Sequence, residues 1–233
     1  MNKNFSAMIL AAGFGERMKP LTNFIPKPLI KVGDITLLQN SIDFLFSMHC
    51  KKIVINTHYK HELISDFISK NYQSSKVQIS YEEEILDTGG GVKNAISLFD
   101  DEDILVTNSD IFWNNDNIVD VKNLVNDYQP DNECRVLLVE KNKAHGILNE
   151  NGDFSLNNEK VNRWQHQDKI LYYSGLQILS LKILNNIDLT KFSFNTIWDF
   201  QIKKNSLYGN IMTSNWYHVG DINGLNTIIN SKA

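Results

Sequence analysis

The sequence predicts an α/β protein in which helices cover a mainly parallel sheet. Short, continuous apolar runs, such as residues 7–11 and 103–107, have the length and composition of strands that are buried on both faces. Between such runs, apolar residues recur at helical spacing, for example over residues 36–48. Strands that alternate with helices in this way are typical of βαβ units, which build parallel sheets.

The first 140 residues hold most of this alternation. The predicted strands are residues 7–11, 52–56, 77–81, 103–107 and 134–139. The predicted helices are residues 36–48, 61–68 and 91–99, the last of them directly behind a run of glycines. Because the strands are short and apolar and are separated by helices, we expect this half to be organised like a nucleotide-binding domain.

The pattern changes after about residue 140. The turn residues Asn151, Gly152 and Asp153 predict a hairpin within residues 147–156. Further on we expect a strand over 170–179 that contains Gly175, a helix over 195–204, strands over 206–213 and 215–219, and a closing helix over 221–231. No linker separates the halves, so residues 1–233 are predicted to form one domain. The predicted fold is a Rossmann-like three-layer αβα arrangement, with a mixed, mainly parallel sheet and a small antiparallel elaboration in the C-terminal half.

The composition excludes several classes of protein. The net charge of −4 and the pI of about 5.9 are not those of a nucleic-acid binder. The chain has no run of about 18 apolar residues and no signal-peptide pattern, so we expect no membrane span and a cytoplasmic location. Cys50 and Cys134 are too few and too far apart for a disulfide framework or a CxxC metal site. The oligomeric state stays open between a monomer and a small homo-oligomer.

A glycine-containing loop after the first predicted strand gives the strongest functional signal. The strand ends in Leu-Ala-Ala at 10–12, and Gly-x-Gly follows at 13–15. Such a loop presents backbone N–H groups to an anion, and Arg17 and Lys27 add full positive charge. Residues 1–35 carry five basic and two acidic side chains in a chain whose net charge is −4, which suits a small phosphorylated ligand.

By itself, a Gly-x-Gly pair after a strand is often only a tight turn. Arg17 and Met18 stand where a dinucleotide-binding fingerprint has its third glycine, and no Gly-Lys-Ser or Gly-Lys-Thr completes a Walker loop. The combination of Gly-x-Gly-x-Arg with Pro-Lys-Pro at 26–28 is more specific, because the prolines fix the backbone on both sides of Lys27.

The stretch from Leu10 to Leu29 resembles the signature of the sugar-1-phosphate nucleotidyltransferases, LAAGxGxRxxPLTxxxPKPL. Four later segments are similar to elements of the same family. They are Leu-Asp-Thr-Gly-Gly-Gly at 86–91, Asn-Ser-Asp at 108–110, Tyr-Ser-Gly at 173–175 and Trp-Tyr-His-Val-Gly at 216–220. Within the family, the TGGG loop and the short chain most resemble the N-acetylmuramate-1-phosphate uridylyltransferases of cell-wall recycling.

The resemblance implies transfer of a nucleotidyl group from a nucleoside triphosphate, UTP by preference, to a sugar 1-phosphate, N-acetylmuramate 1-phosphate by preference. It implies Arg17, Lys27 and Asp110 as catalytic residues, with Asp110 binding Mg²⁺. The implied nucleotide-binding residues are Leu10, Ala11, Ala12, Gly13, Gly15, Glu16, Arg17, Lys27, Thr88, Gly89 and Gly90. The implied sugar-binding residues are Asn108, Glu140, Glu159, Gly175 and His218. Residues 1–140 would then form the nucleotide-binding half, and residues 141–233 the half that binds the sugar and completes the metal site.

The chemistry agrees with these roles. A phosphate oxygen attacks the α-phosphorus in line, and pyrophosphate leaves. Because this nucleophile is already anionic, no serine, cysteine or general base is required. The protein must instead hold two polyanions together and stabilise the charge that moves between them.

Each assignment has an ordinary alternative. Asp110 follows a buried strand, where an aspartate is commonly a turn former or a helix cap. Glu140 and Glu159 could equally be ordinary surface carboxylates. The acidic run at 82–84 is expected to form a solvated face, although one of its carboxylates is a candidate to accept a hydrogen bond from the edge of a base. The glycines at 89–91 are either a flexible entry to the next helix or, as we expect, a site of close approach by a flat base.

His218 departs from the family pattern, because the family usually has a second metal-binding aspartate at this position. Mg²⁺ prefers oxygen ligands, so imidazole is a poor substitute. Three interpretations remain open. In the first, which we favour, the metal is held by Asp110, phosphates and water, and His218 binds phosphate. In the second, Asp221 completes the metal site, although it also suits the N-cap of the last helix. In the third, the protein uses Mn²⁺, which tolerates a nitrogen ligand better.

Other functions compete with this one. The same reaction with GTP, dTTP or CTP and another sugar phosphate, or with CTP and phosphocholine, fits the N-terminal signature equally well. A nucleotide-sugar sensor without turnover is a second alternative, which only His218 favours. The sequence leaves the base, the sugar and the physiological direction open.

Overall fold

The computed structural model describes residues 5–129, 133–147 and 149–232, which contain thirteen strands and six α-helices. The strands are β1 Ser6–Leu10, β2 Lys31–Val32, β3 Ile35–Thr36, β4 Lys52–Thr57, β5 Val77–Tyr81, β6 Asp103–Asn108, β7 Cys134–Glu140, β8 Ala144–His145, β9 Phe154–Asn157, β10 Lys160–Arg163, β11 Leu171–Ser180, β12 Tyr208–Ile211 and β13 Trp216–Tyr217. The α-helices are α1 Leu37–Ser47, α2 His61–Asn71, α3 Asp87–Asn94, α4 Asn117–Asp127, α5 Phe194–Lys203 and α6 Ile222–Lys232.

Nine of these strands form one sheet, in the order β5-β4-β1-β6-β11-β7-β12-β10-β9. β1 pairs in parallel with both β4 and β6, and β12 pairs in parallel with β7. β11 runs antiparallel between β6 and β7, and β9 and β10 form an antiparallel hairpin at the end of the sheet. The mixed, mainly parallel sheet with its antiparallel C-terminal elaboration confirms the predicted fold class.

Helices cover both faces of the sheet. Ala7 and Ile9 of β1 belong to the apolar cluster that includes residues of α1, α2 and α4. Met8, between them, belongs to the cluster that includes residues of α3 and α5. All three side chains are fully buried, because successive residues of a strand point to opposite faces and each face has its own layer of helices. The structure is thus the predicted three-layer arrangement.

Three elements differ from those that the sequence predicts, namely α4, α3 and the hairpin of the C-terminal half. No helix was predicted between residues 108 and 134, where the buried polar residues Asn117 and Asp120 interrupt the apolar stripe of α4. α3 begins four residues before the predicted start, so the glycines lie inside the helix and not in front of it. The hairpin is β9–β10 and turns at Asn158 and Glu159, both at positive φ, rather than lying within 147–156. One residue of that predicted hairpin, Leu148, lies outside the described residues.

One edge of the sheet collects the carboxyl ends of the parallel strands. Leu10 at the end of β1 is in register with Asn56 of β4 on one side and with Asn108 of β6 on the other. β7 points in the same direction, so Glu140 also lies at this edge, and the antiparallel β11 begins there at Leu171. This is the edge at which open α/β sheets bind ligands. None of the helices in the described part of the chain has the length and apolar character needed to cross a bilayer.

Candidate active site

A cavity of about 340 Å³ opens at the carboxyl edge of the parallel strands. This volume lies in the range of small-molecule sites. The predicted nucleotide-binding and catalytic residues that line the cavity are Leu10, Ala11, Ala12, Gly13, Gly15, Glu16, Arg17, Lys27, Thr88 and Asp110. The structure therefore brings together residues from the N-terminal signature, the start of α3 and the end of β6.

The loop after β1 is held in a fixed shape. The N–H group of Ala11 donates to the side-chain oxygen of Asn56 at 2.8 Å. Gly15 adopts φ +66°, and a Cβ atom built on it would lie 2.9 Å from Cγ2 of Thr22, so both its backbone and its lack of a side chain are required. The hydroxyl of Thr22 donates to the carbonyl of Gly15 at 3.0 Å and closes the loop.

Arg17 lies at the wall of the cavity with its side chain exposed to solvent. Within the described part of the chain it has no ion-pair or hydrogen-bond partner. Its neighbour Glu16 is instead paired with Lys19 at 2.5 Å. A guanidinium without a protein partner at a cavity wall is available to a planar anion such as phosphate.

Lys27 and Asp110 form an ion pair at the cavity. Nζ of Lys27 donates to Oδ2 of Asp110 at 2.7 Å and to the carbonyl of Gly220 at 3.3 Å. Only 12% of the Lys27 side chain and 17% of the Asp110 side chain are exposed. The ion pair is largely shielded from solvent, so each charge depends on its partner.

Asp110 is ionised despite its burial. Burial by itself raises the pKa of this carboxyl group, but the charge of Lys27 and the hydrogen bonds from His218 and Lys27 hold the pKa well below its usual range. The second oxygen, Oδ1, is buried and has no hydrogen-bond partner among the described residues. A buried carboxylate oxygen without a protein partner is a ready ligand for a cation that prefers oxygen.

His218 lies beside the same carboxylate. Its Nε2 atom is 3.4 Å from Oδ2 of Asp110, and its ring stacks flat on Trp216 at 5.5 Å and 1°. A Cβ atom on Gly220 would lie 2.2 Å from Cε1 of His218, so only glycine leaves room for the ring. The N–H group of Val219 donates to the carbonyl of Asp110 at 2.8 Å, which fixes this segment against the end of β6.

Asp221 is occupied as a helix cap. Its Oδ1 atom accepts from the N–H group of Gly224 at 2.9 Å, at the start of α6. This geometry agrees with the N-cap interpretation, so we do not assign Asp221 to a metal.

Two residues that the sequence analysis did not assign to the site close the cavity on the side of α3. Glu82, which was expected to be solvated, is 2% exposed. Its Oε1 atom accepts from Nδ2 of Asn56 at 2.7 Å, and its Oε2 atom accepts from the N–H group of Leu86 at 2.9 Å. The polar residue Asn56 at the end of an apolar strand was the available sequence signal, because β4 ends beside β1.

Gly89 and Gly90, predicted as a site of close approach by a base, are not among the residues that line the cavity. A Cβ atom on Gly90 would lie 2.4 Å from the carbonyl oxygen of Thr190, and one on Gly89 would lie 2.3 Å from the ring of Phe192. The N–H groups of both glycines donate to the carbonyl of Phe192, at 3.0 and 2.9 Å. The glycines therefore accommodate the segment before α5. Thr88, which does line the cavity, accepts from the N–H group of Phe194 through Oγ1 at 2.9 Å.

The predicted sugar-binding residues divide into two groups. Asn108 lines the cavity, and Gly175 is at φ +80° in a bulge of β11, where a Cβ atom would lie 3.3 Å from Cβ of Asn108. His218 lies beside Asp110, and Asn108 lines the same cavity as Asp110. Glu140 lies at the same edge and is paired with Lys169.

Glu159 is not part of this group, because it lies at the opposite edge of the sheet. Its carboxylate pairs at 3.0 Å with the buried Arg135, near the amino end of β7. Glu159 belongs to the β9–β10 turn, which the sequence analysis placed elsewhere in the chain. We therefore leave it out of the candidate sugar site.

The side chains of the protein supply only some of the ligands that a divalent cation needs. The described residues contain no cluster of three or more histidine, cysteine, aspartate or glutamate side chains suited to a metal ion. Mg²⁺ commonly takes one or two carboxylates and completes its coordination with water and substrate phosphates. The unpartnered Oδ1 atom of Asp110 meets that requirement.

Comparisons with known proteins place the geometry in context. The chain is 28% identical over 221 residues to the N-acetylmuramate alpha-1-phosphate uridylyltransferase of Caulobacter vibrioides, which covers 92% of this chain and 91% of that protein. It is also 28% identical over 205 residues to the D-glycero-alpha-D-manno-heptose 1-phosphate guanylyltransferase of Campylobacter jejuni, covering 85% and 86%. The solved structure of HddC from Yersinia pseudotuberculosis complexed with GMP-PN has a TM-score of 0.81 at 25% identity, covering 98% of this chain and all of that one.

The family match covers most of the chain. Residues 6–165 match the nucleotidyl transferase family, a range that contains the loop after β1, Lys27, the start of α3 and Asp110. The resemblance of the N-terminal signature is thereby confirmed, and this chain belongs to the nucleotidyl transferase family.

Proposed function

We propose that the protein transfers a uridylyl group from UTP to N-acetylmuramate 1-phosphate and releases pyrophosphate. Membership of the nucleotidyl transferase family and relatives that act on sugar 1-phosphates support a sugar-1-phosphate nucleotidyltransferase. The observation that carries the proposal is the arrangement around the cavity. Exposed Arg17 and the ion pair of Lys27 with Asp110 line one cavity, and the buried Oδ1 atom of Asp110 has no hydrogen-bond partner among the described residues.

Arg17 and the backbone of residues 13–15 would bind the triphosphate. Gly13 has no atom within 4 Å of an added Cβ position, so a phosphate group has room to approach the backbone there. The guanidinium of Arg17 offers several N–H donors in a fixed plane, which suits non-bridging phosphate oxygens. The positive charge at this end of the cavity would orient the leaving pyrophosphate away from the sugar.

Lys27 would stabilise the α-phosphate and the attacking phosphate. Its ammonium group is presented from a segment between Pro26 and Pro28 and already lies beside the carboxyl end of β6. Two anions that must approach each other need positive charge between them. The charge of a largely buried lysine is screened less by water than that of an exposed lysine, so it attracts the phosphates more strongly.

Asp110 would bind Mg²⁺, which supplies further positive charge to the phosphates when it is bound. The protein's own contribution is the ionised carboxylate, whose low pKa keeps it ready for a cation at neutral pH. If the contact between Lys27 and Asp110 were broken, the Nζ atom of Lys27 would be free to bind phosphate. His218 would bind phosphate directly or through water.

In the reaction, an anionic oxygen of the sugar phosphate attacks the α-phosphorus, and the bond from that phosphorus to the bridging oxygen of pyrophosphate breaks. No proton has to be removed from the nucleophile. The side chains therefore act by position and charge, which explains why the cavity needs no nucleophilic serine or cysteine.

The choice of UTP and N-acetylmuramate 1-phosphate follows the Caulobacter relative and the TGGG segment. The alternative is a guanylyl transfer to another sugar phosphate. The heptose 1-phosphate guanylyltransferase of Campylobacter jejuni has the same percentage identity to this chain, which favours keeping GTP as the second candidate.

The test measures pyrophosphate release by the purified protein with Mg²⁺ and each of UTP, GTP, dTTP and CTP. Each nucleotide is combined with a panel of sugar 1-phosphates that includes N-acetylmuramate 1-phosphate. We expect the greatest rate with UTP and N-acetylmuramate 1-phosphate, and loss of that rate in Lys27→Ala and Asp110→Ala. A greater rate with GTP and a heptose or mannose 1-phosphate would replace the proposed pair. Binding of a nucleotide sugar without any release would indicate the sensor alternative.

A further inference from the structure

The charged side chains are unevenly distributed around the cavity. The two basic residues that line it, Arg17 and Lys27, both come from the segment after β1. The wall on the side of α3 contains two carboxylates and, among the described residues, no basic side chain. It consists of Asn56, Glu82, Ile85, Asp87 and Thr88. Phosphate groups are attracted to the basic side and repelled by the acidic wall, which therefore suits a part of the nucleotide that donates hydrogen bonds.

Asp87 is the carboxylate of this wall that the protein leaves open to a ligand. Glu82, the other one, accepts hydrogen bonds through both oxygens, from Asn56 and from the N–H group of Leu86. Asp87 is exposed, and its Oδ1 atom accepts from the N–H group of Thr88 at 2.6 Å. Within the described part of the chain its Oδ2 atom has no hydrogen-bond partner, and the carboxylate forms no ion pair. One oxygen of Asp87 is thus free to accept a hydrogen bond at the cavity.

The start of α3 holds this carboxylate in a fixed position. Asp87 is the first residue of the helix and has φ +64°, a left-handed conformation that aspartate adopts more often than most residues other than glycine. Its bond to Thr88 fixes Oδ1, and Oγ1 of Thr88 accepts from the N–H group of Phe194 at 2.9 Å. A carboxylate that the fold has already ordered loses little conformational entropy when it binds a ligand.

The chemistry of this wall matches a nucleobase better than a phosphate group or a ribose. Ile85 lines the same cavity and is partly exposed, so an apolar side chain and a hydrogen-bond acceptor occur together. A base likewise combines an apolar face with donors and acceptors on its edge. Uracil, thymine and guanine have a ring N–H group at the edge used for base pairing. Cytosine and adenine have a bare ring nitrogen at that position, and a carboxylate repels its lone pair.

We propose that Asp87 accepts a hydrogen bond from this ring N–H group and thereby selects the base of the nucleoside triphosphate. The inference rests on the proposed function, because a triphosphate held at Arg17 places its base elsewhere in the cavity, and the wall that contains Asp87 repels the phosphates. It holds for both candidate nucleotides, since UTP and GTP have the ring N–H group and CTP does not.

The experiment measures, by calorimetry, the binding of non-hydrolysable analogues of UTP, GTP and CTP in the presence of Mg²⁺. Asp87→Asn keeps the size of the side chain and an oxygen for the N–H group of Thr88, but it replaces the free oxygen by an NH₂ donor. That donor opposes the ring N–H group of uracil or guanine and matches the ring nitrogen of cytosine. We expect the native protein to prefer the UTP or GTP analogue to the CTP analogue, and this preference to fall about 10- to 100-fold in Asp87→Asn.

Two further variants separate base selection from a structural role. Asp87→Gly suits the positive φ and removes the carboxylate, so it should lose the preference for UTP or GTP without favouring CTP. Glu62→Gln should keep the native preference. It is the matched control, because Glu62 is an exposed acidic residue in the first turn of α2 and is not among the residues that line the cavity. Equal losses for all three analogues in Asp87→Asn and Asp87→Gly would show a structural role and overturn the inference.

Modified nucleotides identify the group that Asp87 contacts. A UTP analogue methylated at N3, or a GTP analogue methylated at N1, lacks the ring N–H donor. Methylation should weaken binding to the native protein but should not weaken binding to Asp87→Gly any further. If removal of the ribose 2′-hydroxyl group abolished the difference between the native protein and Asp87→Gly, the contact would be to the ribose, and the assignment to the base would be wrong.

The binding measurements do not require turnover, so the inference and the proposed function can fail separately. Base selection that depends on Asp87 without any pyrophosphate release would support the inference and refute the proposed function. Pyrophosphate release with an unchanged base preference in Asp87→Asn, or tighter binding of the CTP analogue by the native protein, would overturn the inference and leave nucleotidyl transfer standing.

Discussion

Lys27, from the segment after β1, and Asp110, just beyond the end of β6, form an ion pair of 2.7 Å at the cavity. The pair neutralises two charges that the proposed reaction needs separately, one for phosphate and one for a cation. We expect substrate and cation binding to replace this contact.

Replacing Lys27 should affect both catalysis and the ionisation of Asp110. For Lys27→Met we expect the rate of pyrophosphate release to fall about 100- to 1,000-fold, because a charge placed for the transition state is removed. The pKa of Asp110 should rise at the same time, since burial then acts with less opposition. Steady-state kinetics and a carbon NMR titration of the Asp110 carboxyl group measure the two effects. The control is Lys31→Met, at an exposed lysine of the same region, which should change neither the rate nor the pKa of Asp110. If Lys27→Met kept the native rate, Lys27 would have no role in the mechanism.

The ion pair also predicts how stability depends on pH. The pKa of Asp110 is lower in the folded protein than the usual value of about 3.9 in an unfolded chain. A carboxyl group of this kind stabilises the fold above its unfolded pKa, and this contribution is lost as the pH falls toward the folded pKa. The difference in free energy of unfolding between the native protein and Asp110→Asn should thus be constant above about pH 5 and should shrink below about pH 4. Urea unfolding at several pH values measures it, and a difference that grows on acidification would contradict the assigned ionisation.

Glu82 tests whether the wall beside α3 depends on a charged acceptor. Both of its oxygens accept hydrogen bonds, one from Asn56 and one from the backbone of Leu86. In Glu82→Gln one oxygen becomes an NH₂ donor that faces another donor, so the free energy of unfolding should fall by about 1–3 kcal/mol. The KM for the nucleoside triphosphate should rise, because Asn56 also fixes the loop at Ala11. The neighbouring exposed residue provides the control, and Glu83→Gln should match the native protein in urea unfolding and in KM.

Features of the fold and of the site that depend on local sequence pattern were predictable. The position of the loop after β1 at the cavity was predictable, because Gly15, Arg17 and Lys27 belong to one short signature that follows a buried strand. The sheet was predictable because buried parallel strands are apolar throughout. The position of Asp110 at the cavity was predictable because it follows such a strand closely.

Features that depend on tertiary packing were not predictable. The glycines at 89–91 suggested an approaching base, but the group that approaches Gly90 is the backbone of Thr190, about 100 residues further along the chain. Glu82 read as a surface residue because the sequence does not show that Asn56 and Leu86 surround it. Glu159 lies at a different edge than expected because its hairpin turns at Asn158 and Glu159. Both residues have positive φ without being glycine, so no glycine turn motif marks this turn in the sequence.

His218 distinguishes two kinds of metal site. We expect His218→Asp to lower the Mg²⁺-dependent rate or leave it unchanged and to raise the KM for the sugar phosphate. The change removes a nitrogen that would contact phosphate and adds a like charge beside Asp110, which lies 3.4 Å from the ring. Rates at varied Mg²⁺ concentrations measure this, with exposed His166→Asp as the control. A large gain in the Mg²⁺-dependent rate would instead identify a weakened site of two carboxylates.

Gly90 tests whether the segment before α5 fixes the start of α3. Replacing glycine by alanine inside a helix ordinarily stabilises a protein by about 1 kcal/mol. At Gly90 the added Cβ atom would lie 2.4 Å from the carbonyl oxygen of Thr190, a backbone atom that cannot rotate away. We therefore expect Gly90→Ala to destabilise the protein by about 1–3 kcal/mol, the usual cost of overpacking, and to raise the KM for the nucleoside triphosphate through Thr88. In thermal unfolding Gly13→Ala should have a much smaller effect, since nothing lies within 4 Å of its added Cβ atom. A stabilised Gly90→Ala variant would mean that the Thr190 segment moves freely and does not position α3.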